Sequence, residues 1–526
     1  MPSNTTNRRD FLKLLGVGAA ALAIPACARL GASKSEAKSP SKPLNFVFIL
    51  IDDLGARDLG CYGGAFYETP NLDRLAAEGM RFTNAYAACP VCSPTRASIL
   101  TGKYPARLHI TDWIPGEQRS DRLLSVPILN DLPLPEETIA EALKPAGYRN
   151  GFIGKWHLGS KGHYPENQGF DVNLGGCHWG HPWHGYFSPY QIENLPDGPK
   201  GEYLTDRLAT EAIRFIEESK KGPFFLYLCH YTVHEPISAK PEVIEKYKKK
   251  AAGLPPNPNP KFVKEGDKQN REYQDDPRYA AMVELMDTNV GRVLEKLKEL
   301  KIADHTAIIF MSDNGGLSTA GSRPTSNRPL RAGKGWLYEG GIREPMIIKW
   351  PGVTKPGSTC SEPVTSTDFY PTMLEMAGLP LRPNQHMDGV SLVPLLKGTA
   401  ATLSRPALYW HYPHYHGSGH RPAGAVRAGD YKLIEFYEDM RVELYNTKED
   451  IREDHELSSK MPETRDKLRK MLHEWRDRVG AEMPKPNPNF RDKSEAKTPS
   501  ACFFPAPGVG GSLKMRPAQS RGPESA

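Results

Sequence analysis

The sequence predicts an α/β fold: a large, mostly parallel sheet flanked by helices, followed by a smaller C-terminal α+β unit that carries an antiparallel sheet. Three observations lead there. Continuous apolar runs such as LNFVFILI, residues 44–51, suit strands buried on both faces rather than alternating surface strands. Helical periodicities lie between these runs, and strands that alternate with helices imply parallel pairing. From about residue 405 the alternation gives way to short strand-like runs and one final helix.

Residues 1–30 read as an export signal. Asn7-Arg8-Arg9-Asp10-Phe11-Leu12-Lys13 places paired arginines before the apolar run Leu14 to Pro25, the layout of a twin-arginine signal. That run is too short to span a membrane as an anchor. An ordinary secretory signal, or a short helix of the folded protein, is the alternative. Ile24-Pro25-Ala26-Cys27 is similar to a lipoprotein cleavage site, although Pro25 is a poor match, so any membrane attachment would run through lipidation of Cys27. The expectation is a protein carried by the twin-arginine export machinery to the periplasm or beyond. Residues 31–43, rich in Ser, Lys and Ala, read as a linker.

The next segment, 44–400, reads as the catalytic domain. The first strand stops at Asp52-Asp53, and later runs repeat that pattern. Gly151-Phe152-Ile153 precedes Gly154-Lys155, Phe224 to Leu228 precedes His230 and His234, and Ala307 to Met311 precedes Asp313-Asn314. Helices are expected at 71–79, 137–146, 203–218 and 278–300. In the last of these, Met282, Leu285, Met286, Val290, Val293, Leu294 and Leu297 recur at helical spacing and read as core. Open α/β sheets bind ligands beyond the carboxyl ends of their strands, so the polar clusters after these runs should converge on one site. Residues 248–278, rich in Lys, Pro and Asn, read as a surface insertion. The C-terminal unit, 401–483, should carry strands at Ala407 to Trp410, Gly424 to Glu435 and Val442 to Asn446, then a helix at 462–478. Residues 484–526 read as a Pro-rich tail, largely disordered.

Composition narrows the function. The chain has 526 residues with 47 Gly and 48 Pro, which suits a large scaffold with many loops. A net charge of +6, with Lys and Arg scattered, makes no case for nucleic-acid binding. The eight cysteines show no dense disulfide framework.

Cys89-Pro90-Val91-Cys92 has the C-x-x-C spacing of redox dithiols and of half-sites for zinc. No second pair is present to complete a zinc site, and no thioredoxin-like βαβ unit surrounds it. What remains is Cys92-x-Pro94-Thr95-Arg96-x-x-x-Leu100-Thr101-Gly102. Ser93 as a cap and Pro94 at the first helical position would put residue 92 at a helix N-terminus, where free amides and the dipole favour an anion.

This stretch resembles the signature of the type I sulfatases, of the alkaline phosphatase-like superfamily. The similarity extends over most of residues 44–480. It implies that Cys92, and not Cys89, is oxidised before folding to formylglycine by a maturation enzyme, and that the hydrate of that aldehyde attacks sulfur. The resemblance further implies a divalent cation held by Asp52, Asp53, Asp313 and Asn314, with the modified residue 92 joining the set. Oxygen donors suit calcium first and magnesium second. By the same resemblance Lys155 and Lys334 contact sulfate, His157 serves the hydroxyls at residue 92, His234 lies near the leaving oxygen, and Arg96 holds the modified residue and the metal ligands in place.

One serine-type contact that some members place after the "QGF" segment is not evident here; Gly176 to His184 (GCHWGHPWH) stands in its place. His178 and His181 there, and His414 in the segment Trp410 to His416, are the candidate substrate-binding residues. Mixed imidazoles and aromatic rings, with Arg421 nearby, suit sugar rings and hydroxyls. "GGCHWGHP" and "YFSPY" are similar to stretches of bacterial polysaccharide sulfatases, and the family includes N-acetylgalactosamine sulfatases. The expected activity is hydrolysis of sulfate esters, with sulfated carbohydrate as substrate. The alternative is a phosphate mono- or diester, or phosphonate, hydrolase of the same superfamily.

Overall fold

The computed structural model describes residues 43–117 and 119–491. The expected export signal, all but the last residue of the linker and most of the C-terminal tail lie outside the described residues. The strands in chain order are β1 (Asn45–Ile51), β2 (Met80–Tyr86), β3 (Arg149–Gly154), β4 (Val172–Leu174), β5 (Phe224–Cys229), β6 (Phe262–Glu265), β7 (Lys268–Arg271), β8 (Thr306–Ser312), β9 (Arg343–Lys349), β10 (Ser358–Cys360), β11 (Val364–Thr365), β12 (Leu408–Tyr412), β13 (Ala423–Ala428), β14 (Tyr431–Phe436) and β15 (Val442–Asn446).

Nine strands form the main sheet, in the order β10-β2-β9-β8-β1-β5-β3-β4, with β11 also on β2. Every residue of β1 is buried, as expected for a strand covered on both faces. It pairs in parallel with β5 on one side and β8 on the other, and β3 continues the parallel run. Only β9 runs against its neighbours β2 and β8. Helices cover the faces. That at Pro277–Glu299 starts on Asp276, whose side chain accepts from the Arg278 and Tyr279 amides, with Pro277 in the first turn where its missing N–H costs nothing. Its stripe Met282, Leu285, Met286, Val290, Val293, Leu294 and Leu297 is buried in the main core.

The second sheet is antiparallel, β12-β13-β14-β15. Its period-two alternation supplies two faces. Tyr409, Val426 and Leu433 meet Leu468, Leu472 and Trp475 of the helix Pro462–Val479. Trp410, Ala425 and Ile434 face the other way, onto Cys89, Val91, Ala332 and Leu337. The sheet is thus packed against the segment that leads into residue 92 and the loop that carries residue 334.

Three local expectations change. Gly424 to Glu435 is not one strand but a hairpin, β13 and β14. The insertion at 248–278 contains the end of the helix Pro241–Ala252 and the two-stranded ribbon β6–β7. In the tail, the Leu124 amide donates to the Lys485 carbonyl at 2.8 Å and the Asn487 amide to the Arg122 carbonyl at 2.9 Å, so order extends past residue 484. The six cysteines among the described residues are unpaired.

Candidate active site

The carboxyl ends of β1, β3, β5 and β8 lie side by side, and each strand is followed by the polar residues noted in the sequence. Main-chain bonds tie these ends together. The Asp52 amide donates to Thr232 O at 3.1 Å, the Asp313 amide to Ile51 O at 3.0 Å, and the Lys155 amide to Cys229 O at 2.8 Å. Gly154, at φ 107°, lies so close to the Cys229 carbonyl that an added Cβ would fall on its oxygen. Only glycine lets the chain deliver Lys155 from this position.

The helix Cys92–Thr101 is buried along its whole length, and residue 92 is its first residue, after Val91 at the N-cap. Ser93 is not the cap. Its hydroxyl donates to His157 O at 2.8 Å and accepts the Ile114 amide at 3.1 Å, stitching three segments together. Thr95 Oγ1 donates to the Cys89 carbonyl at 3.0 Å. Cys92 Sγ lies 3.3 Å from His157 Nδ1, whereas Cys89 Sγ lies 3.8 Å from the Thr111 carbonyl oxygen. His157 Nε2 donates to Ile114 O at 2.5 Å, which leaves Nδ1 as an acceptor aimed at residue 92. Burial, then the Lys155 ammonium, hold His157 well below its ordinary range, so the ring is neutral.

Charges alternate on the floor. Arg96, 2% exposed, sends Nε and Nη2 to Asp313 Oδ2 at 2.9 and 2.7 Å, and Nη1 to the Lys155 carbonyl at 2.7 Å. Lys155 Nζ donates to Asp52 Oδ2 at 2.6 Å. Lys334 Nζ lies 2.7 Å from Asp53 Oδ1, and Asn314 Nδ2 donates to the same oxygen at 2.8 Å. Burial raises the Asp53 carboxyl, but the ammoniums of Lys334 and Lys155 outweigh it and hold it below the usual range. Burial, reinforced by Asp313 and Asp53, pushes Asp52 well up despite Lys155. Two oxygens, Asp52 Oδ1 and Asn314 Oδ1, are buried with no hydrogen-bond partner. A buried acceptor left unmatched costs free energy. All four donors offer oxygen, and a hard divalent cation among them would satisfy both orphans. Asp52 and Asp53 also lie within mutual reach of His234.

His234 Nδ1 donates to the Glu235 carbonyl at 2.9 Å, and Nε2 lies 3.6 Å from Asp53 Oδ2. Burial, then Lys334, hold this ring too well below its ordinary range. Over the floor opens a cleft of about 980 Å³. Asp53, Cys92, His157, His234 and Lys334 reach it from below, and His178 and His181 line its wall. The His181 ring stacks parallel to His234 at 5.9 Å.

His414 lies elsewhere. It is 2% exposed, its Nε2 is 2.8 Å from Thr111 Oγ1, and it does not border the cleft. Of the segment Trp410 to His416, only His416 reaches the cleft; Trp410 donates to the Ala87 carbonyl and Tyr412 to Asp112. β12 itself, Leu408–Tyr412, is sandwiched between two hydrophobic layers, which keeps Trp410 and Tyr412 out of the cleft, whereas His414 lies past its end and is held against Thr111. Arg421 pairs with Glu438 at 2.6 Å, outside the cleft. Sequence reasoning missed Trp113, Ile114, Glu117 and Glu235, all of which line it. Glu235 stood beside His234 and was legible by position; the segment 113–117 has no periodicity to mark it.

A family model described as "Sulfatase" matches residues 44–379, and one described as "N-sulphoglucosamine sulphohydrolase, C-terminal" matches residues 332–478. The chain is 32% identical over 509 residues to a "Sulfatase" of Formosa agariphila, covering 82% of this chain and 87% of that one. It is 34% identical over 396 residues to human "N-acetylgalactosamine-6-sulfatase", covering 71% and 69% of the two chains. A solved structure described as "Crystal structure of Ps i-CgsB in complex with k-i-k-neocarrahexaose" superposes with a TM-score of 0.68 at 30% identity, covering 86% of this chain and 96% of that one.

Proposed function

We propose that this chain, which belongs to the sulfatase family and is a sulfuric ester hydrolase, releases sulfate from sulfated carbohydrates through a formylglycine made from Cys92. The observation that carries the reading is the placement of Cys92 Sγ. It stands 3.3 Å from a neutral imidazole nitrogen, at the first residue of a buried helix, on the floor of the cleft that also receives Lys334, Asp53 and His234. The carbohydrate part is supported by the relatives, one named for N-acetylgalactosamine-6-sulfate chemistry and one solved with an oligosaccharide, and by the aromatic and imidazole wall.

The modified residue would supply a geminal diol, one hydroxyl for attack at sulfur and the other for the later expulsion of sulfate. A cation, calcium first, would be held by Asp52, Asp53, Asp313 and Asn314 and would supply charge compensation for the sulfate oxygens. The rest is done by this chain's own side chains. Lys334 and Lys155 offset the charge of the ester and of the transition state in a buried, low-dielectric setting. His157 Nδ1, already neutral and facing residue 92, takes the proton from its hydroxyl. His234 is neutral in the free site, so its Nε2 must gain a proton before it can donate to the leaving oxygen. An anionic ester beside Lys334 favours that gain, because it offsets the cation that most disfavours the imidazolium after burial. Arg96 bridges Asp313 and the Lys155 carbonyl and so fixes the positions of a carboxylate and a lysine at once. Export by the twin-arginine route, read from Arg8-Arg9, completes the proposal.

The test is the mass of the tryptic peptide that contains residue 92, combined with two variants. Conversion exchanges one sulfur and two hydrogens for one oxygen. Cys92→Ala should abolish sulfate release while Cys89→Ala retains most of it. An unmodified thiol in fully active enzyme, or equal loss in both variants, would refute the mechanism.

A further inference from the structure

The cleft wall carries a charge pattern that sulfate release alone does not require. Its floor presents Lys334 and Asp53. Above the floor, the carboxylates among the described lining residues are Glu117 and Glu235, and no lysine or arginine lines that part of the cleft. Glu117 lies 3.5 Å from Arg119, which offsets its charge at the surface.

Glu235 is placed differently. Its Oε1 accepts the Ser322 amide at 2.8 Å. Its carboxylate packs against Gly321, which has φ 54° and where a Cβ would collide with the carboxylate oxygens. The side chain is therefore held in one position beside a glycine that makes room for it. It is also the residue next to His234, the donor to the leaving oxygen. The His181 ring, parallel to His234 at 5.9 Å, lies 4.2 Å from Trp183, and Trp183 is 64% exposed. An indole that open at the rim of a cleft is a large apolar surface left for a ligand to cover.

We propose that Glu235, His181 and Trp183 form the subsite for the sugar ring that carries the ester, and that Glu235 selects against a second anionic group beside it. The inference rests on the carbohydrate reading of the substrate. A fixed carboxylate accepts hydrogen bonds from neighbouring sugar hydroxyls, and such charge-assisted bonds are strong. A sulfate or carboxylate in place of a hydroxyl would meet like charge in a partly desolvated wall, which costs far more than a lost contact. Trp183 would stack on the ring face and contributes nothing to that discrimination.

The experiment uses two oligosaccharides that differ only by a second sulfate on the hydroxyl next to the first, with kcat/KM for sulfate release measured on the full enzyme. The wild type should favour the singly sulfated sugar by about tenfold or more, and the preference should shrink as salt is raised. Glu235→Gln keeps the shape, removes the charge and should bring the ratio close to one. Trp183→Ala, at an exposed position, should raise KM for both sugars and leave the ratio unchanged. No preference in the wild type, or an unaltered ratio in Glu235→Gln, overturns the assignment while leaving carbohydrate turnover intact. Turnover of a nitrophenyl sulfate with neither sugar accepted would instead overturn the carbohydrate reading, and this inference with it.

Discussion

Removing Arg96 should destabilise the protein by leaving a buried carboxylate without its cation, and removing that carboxylate as well should restore part of the loss. The guanidinium makes three charge-assisted hydrogen bonds, two to Asp313 Oδ2 and one to the Lys155 carbonyl, with both partners essentially inaccessible to water. Asp52 Oδ1 stands a further 3.9 Å away. Breaking a buried pair from one side costs about 3–5 kcal/mol, most of it the desolvation of the stranded charge. Arg96→Met fills much of the same volume, so the cavity contribution is small and the electrostatic loss dominates. In Arg96→Met/Asp313→Asn no full charge is stranded at 313, and the double variant should therefore be more stable than Arg96→Met alone. The assay is urea unfolding in the presence of chelator, so that a bound cation does not stand in for Arg96. A double variant that loses as much as the two single variants combined would show that the pair is not coupled, and would refute the argument.

Chelation should inactivate the enzyme, with calcium or magnesium restoring sulfate release better than zinc, because the four donors offer oxygen; Asp313→Ala should lower both bound metal and turnover, and full activity of metal-free protein would remove this assignment. The Asp112 carboxyl, 1% exposed, is pushed by burial up to about 7. Its folded pKa exceeds the unfolded value, so the native state holds this proton more tightly and stability falls as pH rises through that range. Asp112→Asn should lose about 2 kcal/mol less between pH 5 and pH 7 than the wild type, and equal losses of unfolding free energy in the two proteins, from denaturant titrations at both pH values, would contradict this. Changing Arg8 and Arg9 to Lys should trap the precursor in the cytoplasm, as read by cell fractionation, and normal export of the Lys-Lys variant would exclude the twin-arginine route.

The parallel sheet was legible because β1, β5 and β8 are apolar through their centres, and because each stops at residues that no buried strand tolerates without partners. The same stops marked the floor of the site: Asp52, Asp53, Lys155, His157, His234, Asp313 and Asn314 all follow strand ends. The wall was harder. His414 and His416 are two residues apart in one aromatic-rich stretch, yet one is packed against Thr111 and the other reaches the cleft. Both lie past the end of β12, so no strand alternation separates them; distant partners such as Thr111 decide, and local pattern does not carry that. Ser93 illustrates a smaller limit. Its residue type suggested a cap, but its hydroxyl oxygen accepts the distant Ile114 amide in place of a local one, while its O–H donates to the His157 carbonyl. The hairpin β6–β7 was hidden because Lys, Pro and Asn give no hydrophobic alternation, and its ordering comes from contacts such as the Arg271 amide on the Ser318 carbonyl at 3.0 Å.

Cys92 is 2% exposed, and the parts that enclose it arrive late in the chain. Arg96, one turn along the same helix, closes onto Asp313, which lies 217 residues further on. At ordinary translation speeds that interval takes roughly 10–40 s. Throughout it residue 92 is already synthesised while its enclosure does not yet exist, and a modifying enzyme can reach an extended segment. Once β8 docks beside β1, the thiol is sealed. On the formylglycine reading proposed above, maturation becomes a race between oxidation and folding, with the 217 residues between Arg96 and Asp313 acting as its timer. On the same reading, a slow codon run or an added insertion before β8 should raise the fraction of active molecules, and faster synthesis should yield a larger share of well-folded, inert protein.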